Sequence, residues 1–143
     1  MLRIITLNLN GIRSAARKDF FKWLARRRAD IVCVQELKAQ AVDMTEKMLA
    51  PAGFSGYFHY AEKKGYSGVG IYTKHAPAKV TEGVGIPDVD SEGRYLRADF
   101  GRLSVISVYL PSGSAGPHRQ QAKFRFMDHF LPHLKNLAAA GRE

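Results

Sequence analysis

The chain has 143 residues, 45% of them apolar and 24% charged, which is enough for one domain with a real core and too little for two. No apolar run approaches the roughly 18 residues a membrane-spanning helix needs, and a single cysteine, Cys33, excludes an internal disulfide and fits a reducing, cytoplasmic setting. The net charge of +9 is concentrated in residues 1–28, where eight basic residues stand against one acid, an excess of +7. Such a stretch is either a solvated helix face or a surface for a polyanion. The opening MLRIITLNLN carries Arg3 and no small-residue cleavage site, so no secretory signal is expected.

Residues 2–9 are apolar and β-rich and predict a buried strand. Residues 12–28 predict one amphipathic helix: Ile12, Ala15, Ala16, Phe20, Trp23, Leu24 and Arg27 recur at spacings of 3 and 4. Asp30–Gln35 reads as a central strand, so strand, helix and strand form a βαβ unit with parallel strands. A short helix follows near Asp43–Leu49, ended by Pro51 and Gly53. Four strands are expected over 56–61, 68–73, 78–83 and 94–100, with a further buried strand at Leu103–Leu110. Pro117 opens a last helix that runs to Ala140, stopped by Gly141, with Pro132 kinking it or ending its first part. The expectation is an α/β fold: one mixed sheet with helices on its outer face and an apolar, open opposite face.

Three polar clusters end buried strands: Asn8-Leu9-Asn10-Gly11, Gln35-Glu36-Leu37-Lys38 and Tyr109-Leu110-Pro111-Ser112-Gly113. Ligand sites of open α/β sheets collect at the carboxyl ends of strands. With Gly-Tyr-Ser-Gly-Val-Gly at 65–70 and Glu-Gly-Arg at 92–94, these clusters form five ordered motifs. Through them the sequence resembles the exonuclease III / apurinic-apyrimidinic endonuclease family of DNA repair, within the endonuclease–exonuclease–phosphatase fold.

The resemblance implies a Mg²⁺-dependent nuclease, with Mn²⁺ as a possible substitute. Glu36 would be the carboxylate that holds the ion. A hard cation takes oxygen ligands and keeps positions for water and phosphate. Asn8 would lie at the metal or at the scissile phosphate, and Tyr109 would hydrogen-bond the phosphoryl oxygen. Asn10, Arg13, Lys38, Tyr66, Ser67, Arg119 and Lys123 would contact the DNA backbone. Substrates implied are double-stranded DNA with abasic sites or 3′ ends, cleaved as AP endonuclease, 3′–5′ exonuclease or 3′-phosphatase, with no membrane involved. Three tempting features are set aside. His129 and His133 are i, i+4 without a companion acid. Cys33 between Val32 and Val34 reads as a small buried hydrophobe. The glycines at 65, 68 and 70 lack the Gly-Lys-Ser/Thr of a phosphate loop.

The family's domain is close to twice this length. Its later Gly-Asp-x-Asn and Asp-His motifs, thought to prepare the attacking water and hold the phosphate, do not occur among the 143 residues. The chain is thus expected to be the N-terminal half of the domain, one half of a four-layer α/β/β/α sandwich. The full-length protein is expected to be a monomer. The isolated chain is expected to pair with its complementary half or to self-associate. Two other readings stand beside this one: a non-enzymatic fragment that binds DNA or a partner, and a phosphodiesterase of inositol or lipid substrates.

Overall fold

The computed structural model describes residues 1–143. In chain order it contains β1 (Ile4–Asn8), α1 (Ile12–Arg17), α2 (Phe20–Ala25), β2 (Ile31–Gln35), α3 (Glu46–Leu49), β3 (Ser55–His59) and β4 (Val69–Thr73). Then come β5 (Lys79–Glu82), α4 (Pro87–Asp90), β6 (Tyr95–Phe100), β7 (Leu103–Val108) and α5 (Pro117–Ala139). The expected βαβ unit is present: β1 and β2 pair in parallel, with Ile4 opposite Ile31 and Asn8 opposite Gln35.

The strands do not form one sheet. They form a mixed four-stranded sheet in the order β1-β2-β4-β3 and an antiparallel three-stranded sheet in the order β5-β6-β7. The second sheet covers much of the face expected to be open. Ile31, Cys33, Val69 and Ile71 on one inner face meet Leu96, Ala98 and Val105 on the other. On the outer face of the first sheet, Ile12, Phe20, Phe21, Leu24 and Met48 pack against Val32, Val34, Phe58 and Tyr72. On the outer face of the second, Tyr95 meets Phe130 and His133 of α5. All four layers of the sandwich therefore come from this one chain. What stays bare is scattered rather than a sheet face: among others Leu2 and Ile4, at 48% and 46% exposure, Val42, and Phe124, Leu131 and Leu134 on the far side of α5.

Two further expectations are corrected. The helix expected over 12–28 is two helices, because Asp19 adopts a left-handed backbone with φ 63°. Aspartate is among the few residues that tolerate that region, and the break lets Ile12 and then Phe20, Phe21 and Leu24 face the sheet. Conversely, α5 does not end at Pro132, one of the two outcomes expected there, but continues to Ala139. That position is exposed, so water can satisfy the carbonyl one turn back that loses its intrahelical donor. No helix is long and apolar enough to cross a membrane.

The α5 layer is held by a polar contact as well as by packing. Tyr95 Oη and His133 Nε2 share a hydrogen bond of 2.6 Å. Burial, and then the Arg97 guanidinium, hold the His133 imidazole below its ordinary range. The unfolded chain thus takes up this proton first as the pH falls. Its contribution to stability is complete above the unfolded pKa of about 6.5 and is lost as the pH drops through the folded value. Thermal melts near pH 7.5 and near pH 5.5 check this. Wild type should lose more stability on acidification than His133→Gln, and equal losses would contradict it.

Candidate active site

The polar clusters converge because β1 and β2 are parallel and β7 crosses behind them. Their carboxyl ends reach one edge of the sandwich. Ser107 of β7 donates to the Val34 carbonyl across the sheet interface at 3.0 Å. Gln35 Nε2 donates to Thr6 Oγ1 at 3.1 Å and to Ser107 Oγ at 3.2 Å. The two Ser107 bonds fix one sheet's register against the other within a residue or two of Glu36 and Tyr109, while the Thr6 bond ties Gln35 to β1.

Past the strands the ladder continues in the loops. Gly11 N–H donates to the Glu36 carbonyl at 2.8 Å, and Ile12 N–H to that of Leu37 at 2.9 Å. On the other side, Lys38 N–H donates to the Ser67 carbonyl at 2.8 Å. Four of the six non-glycine residues with left-handed backbone lie in these loops: Asn10, Glu36, Lys38 and Ser67, with φ between 47° and 54°. Each such residue costs roughly 1–3 kcal/mol and persists only where its surroundings over-determine it.

At the centre is Glu36. The Tyr109 phenol donates to Glu36 Oε1 at 2.5 Å, and Lys38 Nζ stands 3.6 Å from Oε2. The Tyr109 hydrogen bond is the largest cause holding the carboxyl below its ordinary range, and the side chains of Asn8 and Lys38 add to it. The Tyr109 phenol is pushed up to about 12 by burial and by the carboxylate it serves. At neutral pH the pair is therefore an ionised acceptor and a protonated donor.

Asn8 Oδ1 accepts the Asn10 backbone N–H at 2.9 Å, which leaves its amide N–H₂ for Glu36. Asn8 thus sits beside the Glu36 carboxylate, with its side-chain oxygen accepting one backbone N–H. Asn10 Oδ1 accepts Lys38 Nζ at 2.6 Å, and Arg13 Nη2 donates to the Lys38 carbonyl at 2.8 Å. A hard cation fits beside Glu36: one ionised carboxylate is present, as Mg²⁺ sites commonly use, with no crowd of further acids.

Two open grooves flank the pair. One, of about 400 Å³, is lined by Gly11, Arg13, Ser14, Arg17, Lys38 and Gly65, with three cations and no acid. The other, of about 630 Å³, runs from Tyr109 past Ser112 and Ser114 to Gln120, Lys123 and Phe124. Of the residues expected to touch DNA, Arg13, Lys38 and Lys123 line a groove, while Asn10 holds Lys38. Tyr66 stands between Lys63 and Arg94, whose cations lie against its ring. Arg119 pairs with Glu92 at 3.4 Å. Ser67 is only 2% exposed, so it serves the site through its backbone carbonyl and not as a surface hydroxyl. Sequence reasoning attached no role to Glu92, Arg94, Gln35 or Ser107. The Glu-Gly-Arg motif was the signal for the first two. Cys33 is buried between the sheets, and burial pushes its thiol up to about 11.

Residues 5–142 match the model of the Endonuclease/Exonuclease/phosphatase family. An exodeoxyribonuclease of Bacillus subtilis (strain 168) is 34% identical over 137 residues, covering 95% of this chain and 53% of that protein. The catalytic domain of Xenopus laevis APE2 superposes with a TM-score of 0.85 at 26% identity, over 97% of this chain and 55% of that one. An AP endonuclease from Archaeoglobus fulgidus superposes with a TM-score of 0.83 at 29% identity, over 95% and 52%. The chain spans about half the length of these relatives.

Removing the phenolic oxygen alone should raise the pKa of Glu36. Tyr109→Phe takes away the largest cause of its depression and leaves the burial that opposes ionisation. Carboxyl-carbon NMR titration reads this directly, and an unshifted Glu36 would mean that Asn8 and Lys38 hold its charge without help.

Proposed function

The chain belongs to the Endonuclease/Exonuclease/phosphatase family, and on that premise we propose that its Glu36–Tyr109 site serves Mg²⁺-dependent hydrolysis of DNA phosphodiesters in repair. The substrates proposed are duplexes with abasic sites or 3′ ends, with AP endonuclease, 3′-exonuclease and 3′-phosphatase activities in the full-length protein. The observation that carries this reading is one carboxylate, held ionised by a phenol and a lysine, between a groove lined by Arg13, Arg17 and Lys38, with Arg13 paired to Asp43 at 3.6 Å, and a hydroxyl-lined one. The names of the relatives point the same way.

The work assigned to this chain is holding a cation and orienting a phosphate. Glu36 would hold the Mg²⁺, and Asn8 would keep its carboxylate turned. The bound ion supplies charge that polarises the phosphoryl oxygen. Tyr109 stays protonated throughout the physiological range; with a cation on Glu36 to take over the carboxylate's charge, its one phenolic proton, which otherwise goes to Glu36, would turn to the phosphoryl oxygen where negative charge develops. Arg13, Arg17 and Lys38 bind backbone phosphates on one flank and Lys123 on the other, fixing the duplex without reading its bases. Groups that take the proton of the attacking water are assigned to the part of the domain that relatives have and residues 1–143 do not include. Nicking of an abasic duplex by the full-length protein, or by this chain mixed with its complementary half, tests the proposal. No Mg²⁺-dependent nicking in either would sink it.

Glu36→Gln keeps the shape of the side chain and removes its charge. In the active protein it should lower Mg²⁺-dependent cleavage by about 10²-fold or more, in the range seen when a main electrostatic group is lost. Gel-shift affinity for DNA should stay within a few-fold, and unchanged cleavage at limiting Mg²⁺ would remove Glu36 from the metal site.

Arg13→Ala should weaken binding to all sequences about equally. The slope of log K against log salt should fall by about 0.9, one phosphate contact's worth. Binding titrations at several salt concentrations measure both, and an unchanged slope would place Arg13 off the DNA.

A further inference from the structure

The Glu-Gly-Arg motif at 92–94 lies outside both grooves' cation sets, and its arginine is 2% exposed. Arg94 is therefore not presented as a surface cation. Three of its five N–H donors are used inside the protein: Nε on Glu92 Oε2, Nη1 on the Tyr109 carbonyl at 3.1 Å and Nη2 on the Tyr66 phenol at 2.8 Å. Its own carbonyl accepts the Tyr109 N–H at 2.9 Å. The guanidinium also lies against the Tyr109 ring, 5.1 Å from its centroid, and against the Tyr66 ring at 5.8 Å. Tyr109 is thus gripped at its N–H, its carbonyl and its ring by one residue, just past the end of β7.

The motif's glycine puts the arginine there. Gly93 has φ 57°, and a Cβ on it would sit 2.6 Å from backbone atoms of His59, Tyr60 and Ala61. The turn closes against the end of β3 only without a side chain, and Glu62 N–H bonds the Ser91 carbonyl beside it at 2.8 Å. Glu92 is braced from the other side by Arg119.

We infer that Arg94 is a positioning residue that clamps Tyr109, so that its phenol meets Glu36 and the scissile phosphate at a fixed place. This rests on the reading of Glu36 and Tyr109 given above. An unclamped phenol would still be present and still protonated, but a displacement of about 1 Å at a reacting group is enough to cost up to 10²-fold in rate.

Arg94→Lys keeps the charge and loses the planar fork, which one ammonium cannot replace. In the full-length protein we expect circular dichroism like wild type, kcat on an abasic duplex lower by about tenfold or more and KM within about twofold, the pattern of a lost transition-state interaction. Glu92→Gln, which leaves Arg94 in place but loosens its Nε anchor, should move kcat in the same direction by less and serves if Arg94→Lys does not fold. The independent readout is the Tyr109 ring in NMR spectra taken without DNA or metal. The ring should be hindered in wild type and freely averaging in the variants. A ring that stays fixed, or a freed ring with wild-type kcat, overturns the inference. If wild type itself does not cleave, the proposed function fails, while the ring still decides whether Arg94 is the clamp.

Discussion

The hydrogen bond from the Tyr109 phenol to Glu36 is the one contact on which the rest of the site depends, because it joins the two sheets at the point where chemistry is proposed. The seam behind it is apolar: Ile31, Cys33, Val69 and Ile71 against Leu96, Ala98 and Val105. Hydrophobic contact is strong but non-directional. It holds the sheets together without saying where along the seam they stop. The directional bonds do that. Ser107 to the Val34 carbonyl, Gln35 to Ser107, and Tyr109 to Glu36 lie in succession toward the carboxyl ends of the strands. Their polarity rises as the seam approaches water, so the last of them can be charged.

A charged last member needs support that an ordinary turn does not supply. Glu36 follows the strand with a left-handed backbone, as do Asn10, Lys38 and Ser67 around it. Taken one by one, these conformations are unfavourable by roughly 1–3 kcal/mol each. They survive because neighbouring loops bond to each other's backbones as though the sheet went on: Gly11 and Ile12 to Glu36 and Leu37, and Lys38 to Ser67. The strain and the extended ladder are two sides of one device, which turns side chains outward at the sheet edge while keeping their backbones in register.

How much of this the sequence disclosed follows from what each signal encodes. The βαβ start was legible because Ile31–Val34 is a continuous apolar run after a 3-and-4-spaced stripe, and both patterns have a direct geometric meaning. The split into two sheets was not legible. Strands such as Val69–Thr73 and Tyr95–Phe100 bury both faces, and nothing in such a strand says which neighbour it hydrogen-bonds and which it stacks on. The break at Asp19 was hidden because the apolar stripe resumes in phase after it. Asn8, Glu36 and Tyr109, the strand-end residues proposed for the site, stand out through motif order, and the fold brings them together. Arg94 carried no role because an arginine in a basic protein reads as surface, and only its burial among Glu92, Tyr66 and Tyr109 distinguishes it.

The charge excess of the first 28 residues shows the same gap between composition and place. Arg13 and Arg17 line the groove beside Glu36. Arg26, Arg27 and Arg28 follow α2 and lead into Asp30, whose carboxylate takes the Arg3 N–H at 2.8 Å where the sheet begins. The five residues of β2 separate the two sets, roughly 16 Å at about 3.3 Å per residue. That exceeds the screening length of about 8 Å at physiological ionic strength. On the proposed reading, the near set would contact phosphates within the site, while the far set would add only to the overall field that draws a polyanion in. Net charge alone would have merged two different physical effects, and the position of each arginine relative to the ends of β2 separates them.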